Sequence, residues 1–181
     1  MAFTPVQNLQ LHKQIDRVLH VPGNYKGGIL EMAVVIDCAY SKDAISALCA
    51  DIVVSCKFMS EIFRNVRLNV VKWSCSGIQS DVTAMAYLQM GSYFDSYISE
   101  EDHPGQKSPE ELMAYLKKFH ARSKLVLLLT KDSSALALRG CNQQGILEAL
   151  NPFLKQKLVI VYPDYCESGN DYARKLILGD H

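Results

Sequence analysis

Asp37 closes an apolar run, Ile29-Leu30-Glu31-Met32-Ala33-Val34-Val35-Ile36, and Cys38-Ala39-Tyr40-Ser41 follows at once. Two later apolar runs end in a similar way. Leu125 to Thr130 reaches Asp132 across Lys131, and Leu158 to Tyr162 reaches Asp164 across Pro163. Carboxylates delivered by buried strands, with serine and threonine hydroxyls near them, suit a hard, oxygen-preferring cation such as Mg²⁺. The same pair, Asp37 and Asp132, can serve instead as acid–base groups of a small hydrolase or transferase. A third use is plain: an acidic residue after a strand caps the helix that follows.

Thiol chemistry is the other candidate. The six cysteines stand at 38, 49, 56, 75, 141 and 166, with no C-x-x-C pair and no zinc-ligand spacing. A nucleophilic cysteine needs a base within reach and a lowered pKa. Cys38 and Cys75 fall at strand ends and Cys141 just before a helix. His103 is the one histidine in a long loop able to fold over that edge. Cys75 is followed six places on by Asp81 rather than arginine, so a phosphatase-type C-x₅-R loop is excluded. Asp37 has Ala39 two places on, which removes the second aspartate of an Asp-x-Asp phosphotransferase. No glycine-rich phosphate cradle follows any strand.

The elements that must position these residues are legible from periodicity. After the first strand, Ile45, Leu48, Cys49, Ile52, Val53, Cys56, Met59 and Phe63 recur at three- and four-residue intervals, as one face of a long helix requires. It returns the chain for a parallel second strand over Val66 to Trp73. Ser74-Cys75-Ser76-Gly77 then turns at the carboxyl end of that strand. Val82, Met85, Ala86, Met90, Tyr93, Phe94 and Tyr97 predict another helix. Ser108-Pro109-Glu110-Glu111 is a capping box with proline at the first helical position. Leu125 to Thr130 and Lys157 to Tyr162 predict two more buried strands, and Tyr172 to Leu178 a closing helix. This alternation predicts an α/β fold: a three-layer, mostly parallel doubly wound sheet flanked by helices on both faces. Residues 1–28 read as an N-terminal helix and loop appended to the body, and 29–181 as a single α/β domain.

Composition narrows the function classes. The 181 residues are 49% apolar and 21% charged with zero formal net charge, and lysine and arginine form no cluster with aromatics. Nucleic acid and anionic membrane are therefore poor partners. No apolar run reaches the roughly 20 residues that span a bilayer, and Met1 to Val6 lacks the features of a secretory signal. A cytoplasmic, reduced protein is expected.

The order of elements and two motifs resemble a von Willebrand factor A-like domain. That family carries a D-x-S-x-S metal-ion-dependent adhesion motif at the end of its first strand. It also has a threonine in a second loop and an aspartate after a later apolar strand. Here Asp37-Cys38-Ala39-Tyr40-Ser41 keeps the aspartate and the second serine. Ser108 stands for the second-loop hydroxyl, with Thr83 the other choice, and Asp132 stands for the later aspartate. The likeness spans Ala33 to Tyr162. It implies metal ligands Asp37, Ser41, Ser108 and Asp132. The partner-binding edge it implies comprises Asp37, Cys38, Ser41, Ser74, Ser76, Ser108 and Asp132. Ala39 removes one oxygen ligand, and Lys131 places a cation where metal charge would sit. The resemblance thus implies a degenerate site, with Mg²⁺ weakly held or lost. It points to a noncatalytic module that binds a protein partner.

Overall fold

The computed structural model describes residues 11, 13–15, 17–19, 28–59, 63–100, 107–120, 123–130, 143–150, 153–163 and 165–178. Among them the chain forms an α/β fold on one six-stranded mixed sheet. The strands are β1 (Ile29–Asp37), β2 (Asn65–Ser74), β3 (Gly77–Ala86), β4 (Leu125–Leu129), β5 (Leu158–Val161) and β6 (Cys166–Ser168). The helices are α1 (Lys42–Met59), α2 (Met90–Tyr93), α3 (Pro109–His120), α4 (Gln143–Leu150), α5 (Phe153–Lys157) and α6 (Gly169–Leu178). None of the described helices is long and apolar enough to cross a membrane.

Strand order is β3-β2-β1-β4-β5-β6. β1 is central and pairs in parallel with β2 (Val34 opposite Val70, Asp37 opposite Trp73) and with β4 (Val34 opposite Leu127). β4 and β5 are also parallel, whereas both edges are antiparallel. The expectation of a mostly parallel sheet holds only for the middle.

Central position explains why β1 is apolar on consecutive residues rather than alternate ones: both of its faces are covered. Leu30, Met32, Val34 and Ile36 pack with Ile45, Leu48, Cys49 and Ile52 of α1, and with Leu11, Ile15, Val18 and Leu19 from the start of the chain. Ala33 and Val35 face the other way. They pack with Leu112, Met113 and Leu116 of α3 and with Ile146 and Leu150 of α4.

Serine side chains cap three of the helix starts, Ser108 among them as its capping box predicts. The Ser41 hydroxyl accepts the Ala44 N–H at 3.2 Å, Ser108 that of Glu111 at 3.1 Å, and Ser168 that of Asp171 at 3.1 Å. Gly169, at the start of α6, is required by close approach, since a Cβ there would lie 2.4 Å from the Lys155 carbonyl oxygen.

One predicted element is wrong in kind. The helix expected over residues 82–97 is in its first part β3, an edge strand joined to β2 by the tight Cys75-Ser76 turn. Gly77, at φ +132°, lets the chain reverse there. Two register shifts against β2 put extra residues into β3. They turn its side chains out of strict alternation, and the apolar positions then mimic a helical period. The helical part is confined to short turns around α2. β6 is three residues long, too short to show any period.

Candidate functional site

Parallel pairing of β1, β2 and β4 brings their carboxyl ends together, and the side chains there come from four segments. Asp37 ends β1 with its side chain 1% exposed. A carboxylate so far from water must be matched by charge or hydrogen bonds. Its Oδ1 accepts the Ala39 N–H at 2.9 Å, and its Oδ2 accepts the Thr130 hydroxyl at 2.9 Å. Thr130 directly follows β4 and is fully buried. The charge is matched by Lys107, which precedes the Ser108 cap of α3. Its ammonium pairs with Asp37 Oδ1, and its side chain is only 7% exposed. On another side the ammonium lies 5.2 Å from the centre of the Trp73 ring, on β2. That distance is within cation–π range.

A layer of hydrogen bonds holds the β1–α1 turn against the rest of the edge. The Tyr40 hydroxyl donates to the Thr130 carbonyl at 2.9 Å. The Tyr40 carbonyl accepts the Tyr97 hydroxyl at 2.8 Å and the Ser99 hydroxyl at 2.7 Å. The Cys38 carbonyl accepts the Glu100 N–H at 2.7 Å. The segment leaving α2 is thus stitched along the loop that carries Asp37. Between Tyr97 and Ser99, Ile98 is 75% exposed.

Neither described thiol at this edge is activated. Burial pushes Cys38 up to about 11, helped by Glu100 and Asp37 and opposed by Lys72 and Lys107. Cys75 is exposed, but its thiol donates to Glu100 Oε2 at 3.1 Å while its N–H donates to Oε1 at 3.0 Å. That hydrogen bond to a carboxylate holds the thiol above its usual range. A nucleophile requires the opposite.

Of the residues expected from sequence, Asp37 and Cys38 lie in this crevice. Ser74 and Ser76 share a hydrogen bond 2.8 Å long within the β2–β3 turn, where Ser74 also reaches the Gly77 carbonyl at 3.2 Å. Ser41 and Ser108 cap α1 and α3. Asp132, Lys131, Cys141 and His103 lie outside the described residues. Among the described residues no group of three His, Cys, Asp or Glu is placed to hold a metal.

Lys107 is the residue of this buried cluster that sequence reasoning missed. A cation one residue before a helix cap sits against the positive end of the helix dipole, and a nearby carboxylate offsets that. No local pattern in the sequence marks a lysine whose partner is 70 residues away. With the Lys107 ammonium on Oδ1 and the Thr130 hydroxyl on Oδ2, the donor set does not fit Mg²⁺. An octahedral dication requires carboxylate oxygens turned to it and waters around it. The chain matches no protein-family model and no curated protein sequence.

Proposed function

We propose that this chain is a noncatalytic protein-binding module of the von Willebrand factor A-like kind, working through the carboxyl edge of its sheet without a bound metal. In this reading the fold is a three-layer, doubly wound sheet. From β1 the order runs out to β3 on one side and to β6 on the other. Ligands bind outside the carboxyl ends of the strands at such a reversal.

The observation that carries the reading is the buried pair of Lys107 and Asp37. A carboxylate neutralised by an ammonium and hydrogen-bonded by a hydroxyl and an N–H is a poor general base. The two thiols beside it are held protonated. The edge offers fixed shape instead: the Ser74–Ser76 turn, the exposed Ile98 and the loop locked by Tyr40. In this reading Ile98 supplies the apolar centre of the partner-binding patch, and the Ser74–Ser76 turn and the Tyr40 loop its polar rim.

Photo-crosslinking groups placed singly at Ser76, Ile98 and Ile29 test this in cell extract. Ile29 begins β1 at the opposite edge and is itself exposed. Adducts of one common size from 76 and 98, and none of that size from 29, are expected. Equal capture from all three positions, or capture from 29 alone, would overturn the assignment. No adduct from either 76 or 98 would count against it equally.

A further inference from the structure

We infer that the outer face of α1, with the apolar groove beside it, is a contact surface for a second copy of this chain. The two α1 helices lie antiparallel about a two-fold axis at Ala50. The inference does not rest on the role given to the carboxyl edge.

Three observations converge. The first is the groove. α1 turns Ile45, Leu48, Ile52 and Cys56 to the core. Beside that buried stripe a cavity of about 310 Å³ opens between Ser46, Ala50 and Val53 of α1 and Leu88 and Gly91 at the start of α2. Leu88 on its wall is 73% exposed, and Val54, one turn on from Ala50, is 61% exposed. At Gly91 an added Cβ would meet nothing, so this wall is open. Single apolar side chains are common on any surface, but two beside one apolar groove mark a contact site.

The second is charge. Asp43 stands in the first turn of α1 and Lys57 in the last. Both are exposed, as is Ala50 midway between them. At seven-residue spacing the three fall on one line of the helix, which drifts about 20° over each interval. A second α1 laid antiparallel, with Ala50 opposite Ala50, sets Asp43 of each copy opposite Lys57 of the other and Ser46 opposite Val54. A parallel pairing in register would set Asp43 against Asp43. The helix dipole alone favours an acid at the start and a base at the end. Equal distances from a small central residue are what make this face complementary to itself. Lys57 also interacts within its own chain, and the three donors of an ammonium can serve both.

The third is shape. Helix axes pack about 8–10 Å apart, the lower end where the side chains between them are small, as Ser46, Ala47 and Ala50 are. The protruding Leu88 and the recess at Ala50 and Gly91 belong to one patch. A two-fold contact requires this, because each copy supplies both halves.

Sedimentation equilibrium of the whole chain, from low micromolar to near-millimolar concentration, reads the association, and circular dichroism reads the fold. The parent should pass from monomer to dimer and no further, since a two-fold contact closes on itself. Ala50→Glu sets two carboxylates together at the axis and should weaken the dimer at least tenfold. Asp43→Lys and Lys57→Asp should each do the same alone. Mixed in equal amounts, those two should associate about as tightly as the parent, because one copy then presents two lysines and the other two aspartates. Glutamate is a good helix former at an exposed site, so Ala50→Glu decides the matter should either reversal fail to fold.

A parent that stays monomeric overturns the inference and leaves the groove to a different occupant. A dimer indifferent to Ala50→Glu overturns it too, since the contact then lies elsewhere. So does a mixture of the two reversals that associates no better than either alone. Ala50→Glu leaves residues 76 and 98 unchanged, so crosslinking from them in that variant tests the carboxyl edge separately.

Discussion

Exchanging Lys107 for methionine, Asp37 for asparagine, and then both together, measures how far the fold depends on their pairing. Each single change leaves one charge in a nearly dry pocket. Lys107→Met takes the ammonium from a carboxylate that keeps the Ala39 and Thr130 hydrogen bonds, and Asp37→Asn takes the negative charge from beside an ammonium that also faces the Trp73 ring. Removing one partner of a buried ion pair costs about 3–5 kcal/mol. In a chain of 181 residues, each kcal/mol moves the melting temperature by about 2–4 °C, so the singles should melt about 6–20 °C below the parent. The double variant leaves neither charge behind. Methionine keeps most of the stem volume against Trp73, and a neutral pair of similar size is often no less stable than the ion pair. The double should therefore be more stable than either single, with a coupling energy of about 2–3 kcal/mol. Urea denaturation followed by circular dichroism supplies the four free energies, and unchanged slopes confirm that the same surface is exposed in each. Singles costing under about 1 kcal/mol, the range of solvent-exposed pairs, would refute the reasoning. Additive effects would refute it as well.

Other perturbations follow from the same contacts. Among the described cysteines, Cys75 should alkylate first in the native protein. Cys49 and Cys56, whose thiols burial pushes up (Cys56 to about 12), should stay silent until unfolding. Glu100→Gln should speed the Cys75 reaction by removing the carboxylate that keeps it protonated, and an unchanged rate would show that the hydrogen bond has no such effect. His120 is buried with no hydrogen-bond partner on Nε2 among the described residues, and burial holds it below 6.5 against a smaller opposite pull from Glu31. The unfolded chain therefore protonates first. The stability this group supplies is complete above pH 6.5 and is lost as pH falls through the depressed folded value. His120→Leu should flatten that acid-side decline in urea midpoints, and an unaltered slope would assign the decline to other groups. Gly169→Ala should cost about 1–3 kcal/mol by overpacking onto backbone. Gly91→Ala, with open space around the added methyl, should differ from the parent by under about 1 kcal/mol. Thermal melts of the pair check both, and equal losses would show that contact distance does not decide the outcome.

How much of this was legible beforehand varies with the range of the interaction. Local signals carried far. The apolar runs of β1, β2, β4 and β5, the stripe of α1 and the capping box at Ser108 all act within a few residues or through periods of two and 3.6, so the chain displays them directly. Asp37 was recognisable at the end of the central strand for the same reason. β3 was not, because register shifts against β2 broke the alternation that marks a strand. β6 gave no period at all in three residues.

Which charges meet could not be read from spacing. Lys107 and Asp37 are 70 residues apart, and Thr130 joins them from a third segment. Lys131, expected from sequence to bring a cation to the metal position, lies outside the described residues. Sequence alone therefore determined that a buried carboxylate would stand at the end of a central strand, since apolar periodicity is a local property. Only the tertiary structure decided what neutralises it, since the partner of a buried charge is whichever residue the packing of distant segments delivers to the same few ångströms.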